Sequence, residues 1–112
     1  MKIEKPWGYE KIWAHTSNYA GKILFVKKGK RLSLQHHQQK EETLYLQKGK
    51  AIVLLEDQDG SLKEHTLQEE DSIHIACGKK HRIIAIDDSL FFEVSTPQLE
   101  DVIRHQDDYG RI

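Results

Sequence analysis

Turn-forming residues interrupt this chain about every ten positions, and that interval leaves room for short strands and little else. The breaks are Lys28-Gly29-Lys30, Lys48-Gly49-Lys50, Asp57-Gln58-Asp59-Gly60, Gly78-Lys79-Lys80 and Asp87-Asp88-Ser89. The Asp59-Gly60 step is a hairpin signal in its own right. Between the breaks lie strand-like runs at Ala20–Val26, Arg31–His36, Thr43–Gln47, Ala51–Glu56, Leu62–Leu67, Ser72–Ala76, Arg82–Ile86 and Leu90–Ser95. Near the N-terminus, alternation predicts that Trp7, Tyr9 and Trp13 share one core-facing side of a strand. A helical turn is expected only between Pro97 and Gln106. Short strands at this interval predict an all-β sandwich or barrel.

With 112 residues, the chain is expected to form a single domain over residues 1–112. A folded chain of this size buries roughly two-thirds of its surface, enough for one core. The longest aliphatic run, Ala51 to Leu55, is too short to span a bilayer. The first six residues lack the apolar stretch of a signal peptide, so a cytoplasmic protein is expected. The lone Cys77 excludes an internal disulfide and a thiolate-rich zinc site. A formal net charge of −1 argues against nucleic-acid or anionic-membrane partners. Seven histidines are many for this length and are the first hint of chemistry.

The densest polar cluster runs from Gly29 to Gly49. Strand alternation puts Gln35 and His37 on one face and His36 on the other. Glu42, beyond the bend at Gln38–Glu41, can open a neighbouring strand and point into the same space. His81, after the Cys77–Lys80 turn, is the candidate that completes a nitrogen and oxygen ligand set for a divalent metal. Spacing alone leaves a second reading equally open, in which His36-His37 is a solvated edge and His81 an ordinary surface residue.

These residues carry a resemblance. Gly29 to Gly49 resembles the first motif of the cupins: Gly, five residues, His-x-His, four residues, Glu, six residues, Gly, with Gln35 in place of the first His. Ala76 to His81 resembles the second motif, Pro-x-Gly-x-x-His, with Ala76 in place of Pro. Within the cupins the chain is similar to the phosphomannose isomerase domain. That similarity rests on Lys5-Pro6-Trp7-Gly8-Tyr9-Glu10, on Arg31-Leu32-Ser33-Leu34-Gln35, and on Glu100-Asp101-Val102-Ile103-Arg104 continuing through Asp107-Asp108-Tyr109-Gly110-Arg111. It implies a small double-stranded β-helix, or jelly-roll barrel. It also implies one divalent metal held by Gln35, His37, Glu42 and His81, zinc most often, with Mn, Fe, Co and Ni open. The chain departs from the family at Gln38, Gln39 and Lys40, where a His-rich run and an Arg are usual, at Ala76, and in lacking a Pro before Gly29.

The activity that the resemblance implies is metal-dependent aldose–ketose isomerisation, mannose-6-phosphate to fructose-6-phosphate, in nucleotide-sugar or polysaccharide supply. Such a reaction needs a base to move a proton between C2 and C1 and a cation to steady the enediolate. Glu93, set in Phe91-Phe92-Glu93-Val94, is the candidate base if it faces inward; the alternative is an ion pair with a neighbouring Lys or Arg. His105 and His74 are weaker candidates. Lys30, Arg31, Lys80 and Arg82 flank the ligands in sequence and are expected to rim the opening and bind a sugar phosphate. By the resemblance, Arg104 is a catalytic arginine that stabilises the phosphate or the enediolate. Two alternatives stand beside this one: a non-catalytic, metal-containing sugar-binding cupin and, disfavoured by Gln35, an iron-dependent oxygenase. A homodimer is expected, with the N-terminal strand pairing against a second subunit at a sheet edge.

Overall fold

Eleven antiparallel strands account for the regular structure of the computed structural model, which describes residues 1–112. They are β1 (Lys2–Lys5), β2 (Gly8–His15), β3 (Ala20–Val26), β4 (Leu34–His36), β5 (Glu42–Lys48), β6 (Ala51–Glu56), β7 (Leu62–Leu67), β8 (Ser72–Ile75), β9 (His81–Ala85), β10 (Ser89–Ser95) and β11 (Ile103–Gln106). One sheet has the order β1-β2-β3-β10-β5-β8 and the other β11-β4-β9-β6-β7. The two sheets close around a shared interior, the expected all-β barrel. No helix is long and apolar enough to cross a membrane.

The interior is graded along its length. In the register of β3, β10 and β5, the inward row Leu24, Phe91, Leu46 is wholly apolar. Two residues further along, the corresponding row holds Lys22, Glu93 and Leu44, all buried. The next row holds Ala20, Ser95 and Glu42. One end of the barrel is therefore a hydrophobic core, centred on Val26, Leu46, Val53 and Phe91. The other end is charged and opens as a cavity of about 110 Å³.

Two local expectations need correction. The stretch Pro97–Gln106 contains no helical turn. Its second half is β11, which pairs with β4 through Ile103↔His36 and Arg104↔Gln35. β4 meets its other neighbour at a single register position, Gln35↔His81, so its backbone groups need partners on the free edge. Second, the aromatic residues near the N-terminus do not line one core face. Trp7 lies in the β1–β2 turn and packs into the core, whereas Tyr9 stacks on Phe25 outside the sheet at 5.3 Å. Gly8 permits the turn, because a Cβ there would lie 1.9 Å from the Phe25 carbonyl oxygen. The N-terminal strand is β1, which lies at the edge of the six-stranded sheet with β2 on its inner side.

A candidate metal centre beside a buried carboxyl

Strand register brings the candidate ligands together from both sheets. Glu42 opens β5 in one sheet, His81 opens β9 in the other, and His37 follows β4 directly. All three are buried, and their ligand atoms lie within 4.8 Å of one another. Glu42 Oε1 is 3.3 Å from His37 Nε2 and 3.2 Å from His81 Nε2. The far sides of both rings are fixed. His37 Nδ1 meets the Asp101 carbonyl, and His81 Nδ1 lies 2.9 Å from the Lys79 carbonyl. A carbonyl oxygen only accepts, so each Nδ1 carries the proton and each Nε2 presents a lone pair.

Two imidazole lone pairs and a carboxylate oxygen thus converge with no donor between them, and His37 Nε2 has no hydrogen-bond partner. Two arrangements satisfy such a cluster: extra protons on the rings, or a cation. In the protonated arrangement, burial of Glu42 is outweighed by hydrogen bonds from His37 and His81 and by the charge of Lys40, which hold its carboxyl well below the usual range. The donor set, two nitrogens and an oxygen, fits a divalent transition metal. Gln35 sits opposite His81 in the register and lines the same cavity. Its Oε1 accepts the Ser33 hydroxyl at 2.6 Å, which leaves a second lone pair for a metal.

Glu93 faces inward and is buried. Burial, reinforced by the nearby charge of Glu42, pushes its carboxyl up to about 8. Lys40 and Lys22 oppose this shift. A cation on Glu42 would cancel the like-charge part and leave burial as the cause. Lys40, which the sequence marks only as a departure from the family, is part of the site. Its Nζ lies 3.1 Å from Glu93 Oε2 and 3.5 Å from Glu42 Oε2, with the side chain 4% exposed. Burial works against its charge, but the two carboxylates outweigh it and raise the ammonium above its ordinary value. The 3.1 Å contact is misaligned for a hydrogen bond, so Glu93 Oε2 remains without a partner.

The expected phosphate-binding cations are scattered. Lys30 and Lys80 do not line the cavity. Arg31 lies outside it, in a two-pronged ion pair with Asp108 at 2.7 and 3.0 Å. Arg82 does line the cavity, but it is engaged by the Leu32 carbonyl at 2.8 Å and lies near Gln106 and Asp108. Arg104 is placed otherwise. It lines the cavity from β11, and its Nε is buried without a hydrogen-bond partner. Lys5, Lys22 and Arg111 add further positive charge to the wall. Of the other histidines, His74 points outward to Glu41 at 2.7 Å, and His105 stacks on His36 at the surface.

Asp101 holds the ligand loop from outside the cavity. Its carboxylate accepts the backbone N–H groups of Gln38, Gln39 and Lys40 at 3.1, 2.7 and 3.0 Å, while its carbonyl accepts His37. The Gln39 N–H above all, with those of Gln38 and Lys40, keeps this carboxyl below its ordinary value. No side-chain pattern could have revealed this, since half of the contact is made by backbone.

The comparisons with known proteins bear on the family and the fold. The family described as Mannose-6-phosphate isomerase C-terminal matches residues 1–96, a span that includes the three clustered ligands and Glu93 but not Arg104. Mannose-1-phosphate guanylyltransferase of Escherichia coli (strain K12) is 33% identical over 99% of this chain, which spans 23% of that protein. Among solved structures, KdgF from Halomonas sp. superposes with a TM-score of 0.79 at 21% identity, over 90% of this chain and 91% of that one. Oxalate decarboxylase from Bacillus subtilis gives 0.78 at 21% identity, covering 92% of this chain and 29% of that one. The capsular polysaccharide assembling protein CapF from Staphylococcus aureus gives 0.78 at 15%, covering 95% and 32%. At these identities the structural likenesses speak to the cupin fold alone. The sequence matches go further: the chain is a cupin domain and belongs to the mannose-6-phosphate isomerase C-terminal family.

Proposed function

We propose that this domain is a sugar-phosphate aldose–ketose isomerase of the mannose-6-phosphate type, working with one divalent metal, zinc by the family's usage. The observation that carries the reading is the placement of Glu93: an inward, buried carboxyl with a raised pKa, in the same cavity as the His37–Glu42–His81 acceptor cluster. His37, Glu42, His81 and the free lone pair of Gln35 would hold the metal, which when bound supplies a Lewis acid for the carbonyl and enediolate oxygens.

The chain's own groups then divide the remaining work. Glu93 as carboxylate takes the proton from C2 of the open-chain aldose and as carboxylic acid returns a proton to C1, while the hydroxyl proton of O2 passes to O1, so that C1 gains a hydroxyl and C2 becomes the carbonyl. An apparent pKa near the working pH suits a group that must do both. Lys40 orients Glu93 and balances its charge during the cycle. The unpartnered Nε of Arg104 is available to the substrate phosphate or to negative charge developing on the enediolate. Burial of the cluster keeps competing water from the carbanionic carbon.

A second reading draws on one specific contact. The ammonium of Lys40 beside Glu93 weakens it as a base, which favours a metal-containing domain that binds a sugar phosphate without turning it over. Incubation of metal-supplemented protein with mannose-6-phosphate separates the two. The isomerase reading expects fructose-6-phosphate to form, to stop on chelation and to resume when metal is restored. Metal-loaded protein that binds hexose phosphates but converts none of them would establish the binding reading instead.

A further inference from the structure

One pair of charges in the cavity belongs neither to the metal cluster nor to the proposed proton transfer. Glu10 on β2 and Lys22 on β3 both line the wall, with side chains 15% and 7% exposed. Lys22 Nζ lies 3.5 Å from Glu10 Oε1, the outer limit of a hydrogen bond, and neither side chain makes another hydrogen bond or ion pair. An ammonium has three protons to donate and a carboxylate two oxygens to accept with. A buried ion pair offsets the cost of desolvation only when its geometry is good and its remaining protons and lone pairs are satisfied. This pair meets neither condition, so packing alone gives no reason for it. Its place in the sheet does. Glu42, Glu93, Lys22 and Glu10 come from four successive strands, β5, β10, β3 and β2. Glu42 pairs with Ser95, two residues from Glu93; Glu93 pairs with Lys22; and Lys22 pairs with Ile12, two residues from Glu10. The four follow one diagonal across the inner wall that starts at the His37–Glu42–His81 cluster.

We infer that Glu10 and Lys22 bind the C3 and C4 hydroxyls of an extended, open-chain sugar phosphate. The assignment deepens the isomerase reading and rests on it for the direction of the substrate. With C1 and C2 between the His37–Glu42–His81 cluster and Glu93, the next carbons of a linear chain run toward Lys22 and Glu10. A hydroxyl both donates and accepts, so neighbouring hydroxyls suit a spare ammonium proton beside a spare carboxylate oxygen. A phosphate dianion does not suit the pair. It only accepts, and the Glu10 carboxylate offsets the Lys22 charge that would draw it. A metal ion is no better served, because the ammonium repels it. Leu24, which pairs with Glu10, and Trp7 line the same cavity and offer apolar surface to the carbon chain. Contacts made here, away from the reacting carbons, add affinity and hold C2 in register with Glu93.

The test is titration calorimetry of metal-loaded protein with D-mannitol 1-phosphate, the acyclic reduction product of mannose-6-phosphate, and with its 3,4-dideoxy analogue. Native protein should bind the parent polyol at least about tenfold more tightly, the usual scale for hydrogen bonds to charged groups. The double variant Glu10→Leu, Lys22→Met removes both charges together and so leaves neither one buried alone. It should bind the two polyols within about twofold of each other, by weakening the parent and sparing the analogue. Its metal affinity and its cooperative melting should remain those of a folded, loaded barrel. Native protein that binds both polyols equally, or neither at about 10 mM, would overturn the inference. So would a double variant that loses affinity for both polyols by the same factor. Native protein that discriminates between the polyols, yet forms no fructose-6-phosphate from mannose-6-phosphate, would support this site while overturning the isomerase reading.

Discussion

Asp101 shows how one residue can position a candidate metal centre that it never touches. Its carboxylate fixes three successive N–H groups of the ligand loop, and its carbonyl sets the tautomer and angle of His37. Partners of this kind commonly change metal affinity by about 10–100-fold when removed. Asp101→Ala should therefore weaken metal binding by that factor in competition with a chromophoric chelator, and Asp101→Asn, which keeps one acceptor oxygen, should recover part of the loss. Unchanged affinity in both variants would show that the loop holds itself. Lys40 makes a different demand. It is the counter-ion of two buried carboxylates, and removing one member of a buried charge cluster commonly costs about 3–5 kcal/mol. Lys40→Met should lower the stability of metal-free protein by that order in urea unfolding; a change below about 1 kcal/mol would mean that the bridge is not formed. His37, His81 and Glu42 are legible in the sequence because their residue types and spacing together match a metal-binding pattern. Lys40 is visible there only as a departure from the family, since a lysine in a turn ordinarily faces water. Asp101 lies 64 residues from His37 and acts half through its backbone.

Among the elements, legibility tracks the contrast between the two faces of each strand. β5 and β3 are readable because a turn bounds each and the burial pattern alternates. β1 is not: Lys-Ile-Glu-Lys offers one apolar residue, as befits an edge strand that discourages unwanted pairing. The direction of Glu93 is undecidable from sequence for the opposite reason. Alternation groups Phe91 with Glu93 and Phe92 with Val94, so both faces of β10 carry large apolar side chains. The C-terminal segment looks helical because Pro97 and the acidic pair Glu100-Asp101 resemble a helix start; the unpaired edge of β4 decides otherwise. The tail beyond β11 is clamped by chemistry that the sequence shows only as a motif. Arg111 holds the Asp107 carboxylate at 2.7 and 3.0 Å, and chiefly through that contact lowers its pKa to about 2. A depressed carboxyl stabilises the fold fully above its unfolded value, near 3.8, and loses that contribution as pH falls toward 2. Comparing native protein with Asp107→Asn across pH 7 to 2, the native advantage should be on the order of 1 kcal/mol at neutral pH, after allowance for solvent screening, and should fade as the pH drops from about 4 to 2. An advantage that grows on acidification would reverse the assignment.

Across the whole molecule, the two faces of the six-stranded sheet differ in character. Inward, β10 carries Glu93 toward the His37–Glu42–His81 cluster; outward, it exposes Phe92 and Val94. The grading of the interior, apolar at one end and charged at the other, separates the core that holds the barrel closed from the cavity where a substrate would react. The central claim, that Glu93 moves the substrate proton beside a metal held by His37, Glu42 and His81, is tested most directly by deuterium incorporation at C2 of mannose-6-phosphate in D₂O. Native protein and Glu93→Gln should be compared at equal, measured metal content. The account predicts exchange with the native protein and a loss of at least a hundredfold with Glu93→Gln, as for removal of a general base. Equal exchange by the two proteins, or none by metal-loaded native protein, would contradict it.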